Sequence, residues 1–260
     1  MNLPPYDPVE RHLLLERLIT RGAGDEVERK YWRFRADRWY GGIATGDCVG
    51  CGLACRFCWV NDKAFHNPGA FGSFCKPCDV ASRLRSIASS RGYRQARVSG
   101  GEPTIARAHL LQLLDHLESL QPLSFILETN GILIGHDRRY ARELSRFRFL
   151  SVRVSLKGCN ASDFERLTGA SPNGFSLQLQ ALKNLVEEGV NCHAAVMRSF
   201  SSSESFEELL GRLSEIDPSL AGNIEMEEVI MYPRVAARIE RFGLRPVISH
   251  RPDEIPTRLI

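Results

Sequence analysis

LSVRVSLKG, residues 150–158, is the stretch on which the architecture turns. Its period-two alternation sets Leu150, Val152, Val154 and Leu156 on one face of a strand and Ser151, Arg153, Ser155 and Lys157 on the other. The apolar face suits packing against a helical layer, whereas the polar face suits a packed barrel core poorly. An open barrel with a charged ligand in its lumen accounts for both faces; a solvated sheet face is the alternative for Arg153, Ser155 and Lys157. Four further runs read as strands: RQARVSG (94–100), SFILETNG (124–131), VNCHAAVM (190–197) and NIEMEEVIMY (223–232). The segments between them are long enough for crossover helices, and strand–helix alternation implies parallel pairing. With a strand near 39–46 (WYGGIATG) there are six units, fewer than the eight of a closed barrel. The expected fold is therefore α/β, a partial (β/α)6 TIM-like barrel with parallel strands. A doubly wound open sheet is the structural alternative, because strand order is not written in one sequence.

Two of the intervening helices are explicit. Ala106, Leu110, Leu113, Leu114, Leu117 and Leu120 follow the stripe of a helix lying on a sheet, with Thr104 able to cap its start and Pro122 beyond its end. Phe175, Leu179, Leu182 and Val186 form a second stripe, with Gly189 suited to the C′ position. Residues 1–36 read as an N-terminal helical extension, 37–243 as the core domain, and 244–260, with three prolines, as an irregular tail.

Composition excludes several classes. The chain has 260 residues, 43% hydrophobic and 25% charged, which is ordinary for one globular domain and argues against disorder. No run approaches the length of an apolar membrane span, and MNLPPYDPVE lacks the order of a secretory signal, so a cytoplasmic protein is expected. A net charge of +3 names no polyanionic partner. RKYWRFRADRWY (29–40) mixes arginine with aromatics as single-strand binders do, but Trp32, Phe34 and Trp39 packing inward with the arginines facing water is the plainer reading. Nucleic acid is not the expected partner.

The cysteines carry more. Six of the eight fall between 48 and 78, a density that in an intracellular chain suggests metal binding; Cys159 and Cys192 stand alone as small buried residues. Cys51, Cys55 and Cys58 fit one inorganic cluster, since thiolates at this spacing select iron–sulfur or zinc. A [4Fe–4S] cube held by three thiolates keeps one iron open to a ligand. Two other partitions compete. Cys48 would make a four-thiol, ferredoxin-like carrier, and Cys55-x2-Cys58 with Cys75-x2-Cys78, 16 residues on, has the spacing of a four-cysteine zinc module.

CxxxCxxC with Phe57 before its last cysteine resembles the radical S-adenosylmethionine (radical SAM) superfamily. So do Val98-Ser99-Gly100-Gly101-Glu102-Pro103, similar to a GGEP motif, the strand end Glu128-Thr129-Asn130-Gly131, and Ser155-Leu156-Lys157-Gly158. The resemblance covers roughly residues 40 to 235. It implies a [4Fe–4S] cluster on Cys51, Cys55 and Cys58, with the amino and carboxylate groups of S-adenosylmethionine (SAM) on the open iron. One electron from a reduced ferredoxin- or flavodoxin-type donor then releases methionine and a 5′-deoxyadenosyl radical that takes hydrogen from a substrate. It further implies that Glu102 holds the ammonium group, that Ser155 and Lys157 hold ribose or carboxylate, and that Phe57 covers the adenine. Independently of the resemblance, Gly100 and Gly101 end a strand where absent side chains let a ligand reach the backbone, Pro103 begins the next helix, and Glu128 and Asn130 share a strand face.

SLKGCNASDFERLTGASPNGF (155–175) followed by LQALKNLVEEGV further resembles the glycyl-radical-enzyme activating enzymes, which act on a partner protein, and GDCVGCGLACRFCW (46–59) resembles uncharacterised archaeal-type radical SAM proteins. Ser155 stands where the activases commonly have Asp. The substrate, small molecule or protein, is left open. Cys75-Lys-Pro-Cys78 could bind an auxiliary metal with Cys48, relay electrons or merely precede a helix starting near Asp79, and no metal is the expected reading; His193 and Met197 could line the substrate cavity, with a satisfied buried histidine the expected reading of His193.

Overall fold

The computed structural model describes residues 4–24, 26–119 and 123–260. Leu120 and Pro122, read above as the end of a helix, lie outside them. The strands are β1 (Thr20–Arg21), β2 (Glu28–Asp37), β3 (Ile43–Cys48), β4 (Ser73–Cys75), β5 (Gln95–Ser99), β6 (Ser124–Thr129), β7 (Leu150–Leu156), β8 (Cys192–Met197), β9 (Glu225–Glu227), β10 (Val229–Ile230) and β11 (Ser249–His250). Strands β3, β5, β6, β7, β8 and β9 pair in parallel in that order. Spatial order follows chain order with no reversal, so the sheet is the incomplete six-stranded barrel and not the doubly wound alternative. Among the described residues β9 does not pair back to the first strands, and the barrel stays open.

Helices Pro77–Arg91, Arg107–Ser119, Arg138–Leu144, Asn173–Glu187 and Ser203–Ile216 cover the outer face. Leu110, Leu113, Leu114 and Leu117 are buried as their stripe requires, as are Phe175, Leu179 and Leu182. Gly189 takes φ +69°, a left-handed conformation after the helix end, where its N–H reaches the Val186 carbonyl at 3.0 Å. Thr104 does not cap its helix: it lies in a 3-10 turn, Pro103–Ile105, and its hydroxyl donates to Glu102 instead. In β7, Leu150, Val152, Val154 and Leu156 are buried under the helices, while Arg153 is only 5% exposed, so the polar face is turned into the lumen and not to open solvent.

Three expectations need correction. The N-terminal extension is helical over Pro8–Ile19, but Glu28–Asp37 is a ten-residue strand antiparallel to β3. Alternation of arginine with aromatics, read above as lead-in helix, is the period-two pattern of a strand. The strand at 39–46 begins at Ile43, because Tyr40, Gly41 and Gly42 all take positive φ and cannot extend the ladder. NIEMEEVIMY breaks at Glu228, whose carboxylate is drawn to His250 and Arg258, so β10 leaves the main sheet and pairs with β11 of the C-terminal tail. The tail is otherwise irregular apart from a turn at Thr257–Leu259, and the Ile260 carbonyl accepts from the Tyr40 N–H at 2.7 Å. No helix among the described residues is long and apolar enough to cross a membrane.

Candidate active site

Parallel strands aim their carboxyl ends to one side, and there the loops after β3, β5, β6 and β7 enclose a cavity of about 1680 Å³. Its lining includes Cys51, Cys55, Phe57 and Cys58 from the first loop; Gly100, Gly101 and Glu102 from the second; Glu128 and Asn130 on β6 and just after it; and Ser155 and Lys157 on β7 and at its end. Every site residue read from the sequence lines this space except Pro103, which is buried behind it and accepts a hydrogen bond from Arg29 Nη1 at 2.5 Å.

The three thiols sit on one wall. Burial, then the Glu102 carboxylate, pushes the Cys51 thiol well above its ordinary pKa; burial takes Cys55 up to about 12 against the pull of Lys157. Without metal Cys51 and Cys55 hold their protons, and metal binding must displace them. Among the described residues no three His, Cys, Asp or Glu side chains converge on a single ion. A cubane does not ask for that, since each thiolate takes a different iron, whereas a zinc site needs four donors around one point. The donor set therefore fits a [4Fe–4S] cluster. Cys48 is fully buried in β3, its thiol raised to about 11 by burial, and it does not line the cavity. Cys75 closes β4 and Cys78 lies in the first turn of Pro77–Arg91, a helix starting two residues before the Asp79 expected; neither lines the cavity with Cys55 and Cys58.

Glu102 is 2% exposed and organises the second loop. One carboxylate oxygen accepts from the Thr104 N–H (3.1 Å), the Thr104 hydroxyl (2.7 Å) and the Thr129 hydroxyl (2.7 Å), and the other accepts from the Asn130 N–H at 2.7 Å. The glycines before it line the cavity and also meet a packing demand that the sequence did not show. A Cβ on Gly101 would stand 2.4 Å from the Gly50 carbonyl oxygen and 2.9 Å from that of Cys48, so what approaches closely is the cysteine loop itself. Gly100, at φ +84°, packs against Asp47 in the same way.

Beneath these loops runs a belt of ion pairs invisible to sequence motifs. Arg33 and Arg35 pair with Asp47 at 2.6 and 2.9 Å; Arg97 joins Asp37 (2.7 Å) to Glu128; and Arg153 joins Glu225 (2.7 Å) to Glu227 (2.8 Å). Burial alone would raise the Glu128 pKa, but Arg97, Arg153 and the Ser99 hydroxyl hold it below its ordinary value. Glu128 is thus committed to Arg97 and Ser99. Arg153 also donates to the Ser155 hydroxyl at 2.7 Å, and Lys157 Nζ lies 3.8 Å from Glu227. His193 lines the cavity, bonded to Glu225 at 3.2 Å, and is not a core histidine. Arg29 contradicts the expectation of solvent-facing arginines: 1% exposed, it donates to carbonyls of Val49, Glu102 and Pro103. Its position inside a strand of alternating pattern was the available signal.

Comparison with known proteins agrees with this arrangement. A probable GTP 3′,8-cyclase of Methanosarcina mazei is 28% identical over 141 residues, 54% of this chain and 40% of that protein. The GTP 3′,8-cyclase of Mesorhizobium japonicum is 31% identical over 121 residues, 45% of this chain and 34% of that protein. The chain thus matches less than half the length of these relatives. The crystal structure of Streptococcus suis SuiB bound to S-adenosylmethionine superposes with a TM-score of 0.53 at 19% identity, covering 78% of this chain and 48% of SuiB, a likeness of fold. The model of the radical SAM superfamily matches residues 47–213, more than half of the sequence and the whole span from the cysteine loop through β8. The chain belongs to the radical SAM superfamily, enzymes that work with a [4Fe–4S] cluster and S-adenosylmethionine.

Proposed function

We propose that Cys51, Cys55 and Cys58 hold the cluster and that the chain acts on a substrate bound in the barrel lumen. The observation that carries this reading is convergence: thiols from one loop and polar groups from three further strand ends face a single cavity. When bound, the cluster and SAM supply a 5′-deoxyadenosyl radical that abstracts a hydrogen atom from the substrate. The protein's part is to orient and to exclude water. Glu102, its carboxylate fixed by Thr104, Thr129 and Asn130, keeps one lone pair on the oxygen bonded to the Asn130 N–H, which would accept from the ammonium group of SAM. Ser155, held by Arg153, and Lys157 would hold the ribose or carboxylate, Phe57 would cover the adenine, and the backbones of Gly100 and Gly101 and the Asn130 side chain complete the wall. None of the eight cysteines is paired in a disulfide, which suits a reducing cytoplasmic setting and a ferredoxin- or flavodoxin-type donor.

Anaerobically reconstituted protein is expected to bind close to four irons per chain and, with dithionite, to convert SAM to 5′-deoxyadenosine. Stoichiometric zinc without iron overturns the reading. A partner protein as substrate, the activase reading, is favoured by Trp59 and Tyr232, 41% and 38% exposed on the cavity rim. Deuterium transfer into 5′-deoxyadenosine from a labelled protein, rather than from small molecules, separates the two.

A further inference from the structure

His12 lies on the N-terminal helix, outside the residues matched by the family model, yet it is fully buried against the cysteine loop. A Cβ on Gly52 would stand 2.2 Å from its Nδ1, so the loop lies directly on the ring. Its Nδ1 is 2.5 Å from the Pro8 carbonyl oxygen and its Nε2 is 3.0 Å from the side-chain nitrogen of Asn130. A carbonyl only accepts, so the ring proton sits on Nδ1 and Nε2 accepts from Asn130. Burial, which lowers the His12 pKa, agrees with a neutral ring.

The Asn130 amide is thereby fully assigned. Its oxygen accepts from the Ile132 N–H at 3.0 Å, which fixes the orientation of the group. One N–H goes to His12, and the nitrogen's second N–H faces Cys51 Sγ at 3.8 Å. A flipped amide would set its NH2 group against the Ile132 N–H and its oxygen against His12 Nε2 and the Cys51 sulfur, losing all three contacts.

We propose that His12 and Asn130 are positioning residues for the iron–sulfur cluster: His12 holds one N–H of Asn130 so that the other donates to the Cys51 sulfur and favours the reduced cluster. This rests on the cluster assignment above. Reduction adds one electron, taken from an external low-potential donor, and the added negative charge strengthens a hydrogen bond to a ligand sulfur, one of the levers that set cluster potentials.

The test is an anaerobic dithionite titration of the reconstituted full chain, followed by electron paramagnetic resonance in the absence of SAM. His12→Ala is expected to shift the reduction equilibrium at least about tenfold toward the oxidised cluster, about 59 mV for one electron. His12→Gln, whose amide oxygen accepts the same N–H, is expected to stay with the wild type. Asn130→Leu removes both N–H donors at similar volume without adding a charge and lowers the potential as well; it decides the matter if His12→Ala does not fold. Unchanged potentials in iron-replete His12→Ala and Asn130→Leu overturn the proposal, as does His12→Gln behaving like His12→Ala. A wild type that binds no cluster, or does not cleave SAM, sinks the proposed function instead.

Discussion

The backbone N–H of Glu102 donates to the carbonyl oxygen of Gly50 at 2.7 Å, tying the turn after β5 to the start of the cysteine loop. Arg29 clamps the same pair of segments from beneath through the carbonyls of Val49, Glu102 and Pro103. The wall that carries the thiols and the turn that carries Glu102 are therefore tied directly to each other.

Gly101→Ala is expected to separate them. The new methyl group meets backbone oxygens at 2.4 and 2.9 Å, and backbone yields less readily than a side-chain tip. Iron bound per chain after reconstitution should fall sharply while the circular dichroism of the barrel is retained; full iron content would mean the loops can part without cost.

Glu102→Gln sets an NH2 group against one of the donors that now reach the carboxylate, the Thr104 or Asn130 N–H among them. A buried donor left without a partner costs about 1–3 kcal/mol, so the unfolding midpoint in urea should drop. SAM affinity or turnover should fall roughly 10–100-fold, by analogy with partners outside a metal's own ligands. Equal loss of stability in Thr129→Val without a change in SAM affinity would show that the two effects are separable.

Cys51→Ala, Cys55→Ala and Cys58→Ala should each abolish SAM cleavage, whereas Cys48→Ala should retain it, because the Cys48 side chain is packed in the sheet and outside the cavity. Formation of 5′-deoxyadenosine is the measurement, and its loss in Cys48→Ala would revive the four-thiol carrier.

Arg97→Met leaves Asp37 and Glu128 facing each other without the cation between them. Breaking a buried pair on one side costs about 3–5 kcal/mol, readable in urea unfolding. The double variant with Glu128→Gln should be less unstable than the sum of the single changes, since the uncompensated charge is then gone.

Acid should act through the same belt. Burial alone would raise the pKa of Glu225, but hydrogen bonds from His193 and Arg153 and the charge of Arg153 bring it from 4.5 down to about 2. A folded value below the unfolded one means that its stabilisation is complete above about pH 4.5 and is lost as pH falls toward about 2. Stability measured against pH should decline over that window, and Glu225→Gln should flatten the decline; an unchanged slope would remove Glu225 from the acid response.

The chain order of strands, the faces of β7 and the cysteine spacing were legible because each is a local pattern of period, length or donor type. Leu150 through Leu156 declare a covered face by alternation alone, and three thiols within eight residues point to metal binding before any fold is known. Tertiary structure decided which polar groups meet. Arg97 and Glu128 are 31 residues apart, Arg153 and Glu225 72, and His12 and Asn130 118, and no local periodicity records such pairings. It also decided that Glu28–Asp37 is a strand, because an arginine–aromatic alternation joins a sheet only when β3 is present to pair with it. The physical reason is common to all of these: a side chain's ordering along the chain fixes its face, but its partner is set by which strand ends the closing sheet brings together.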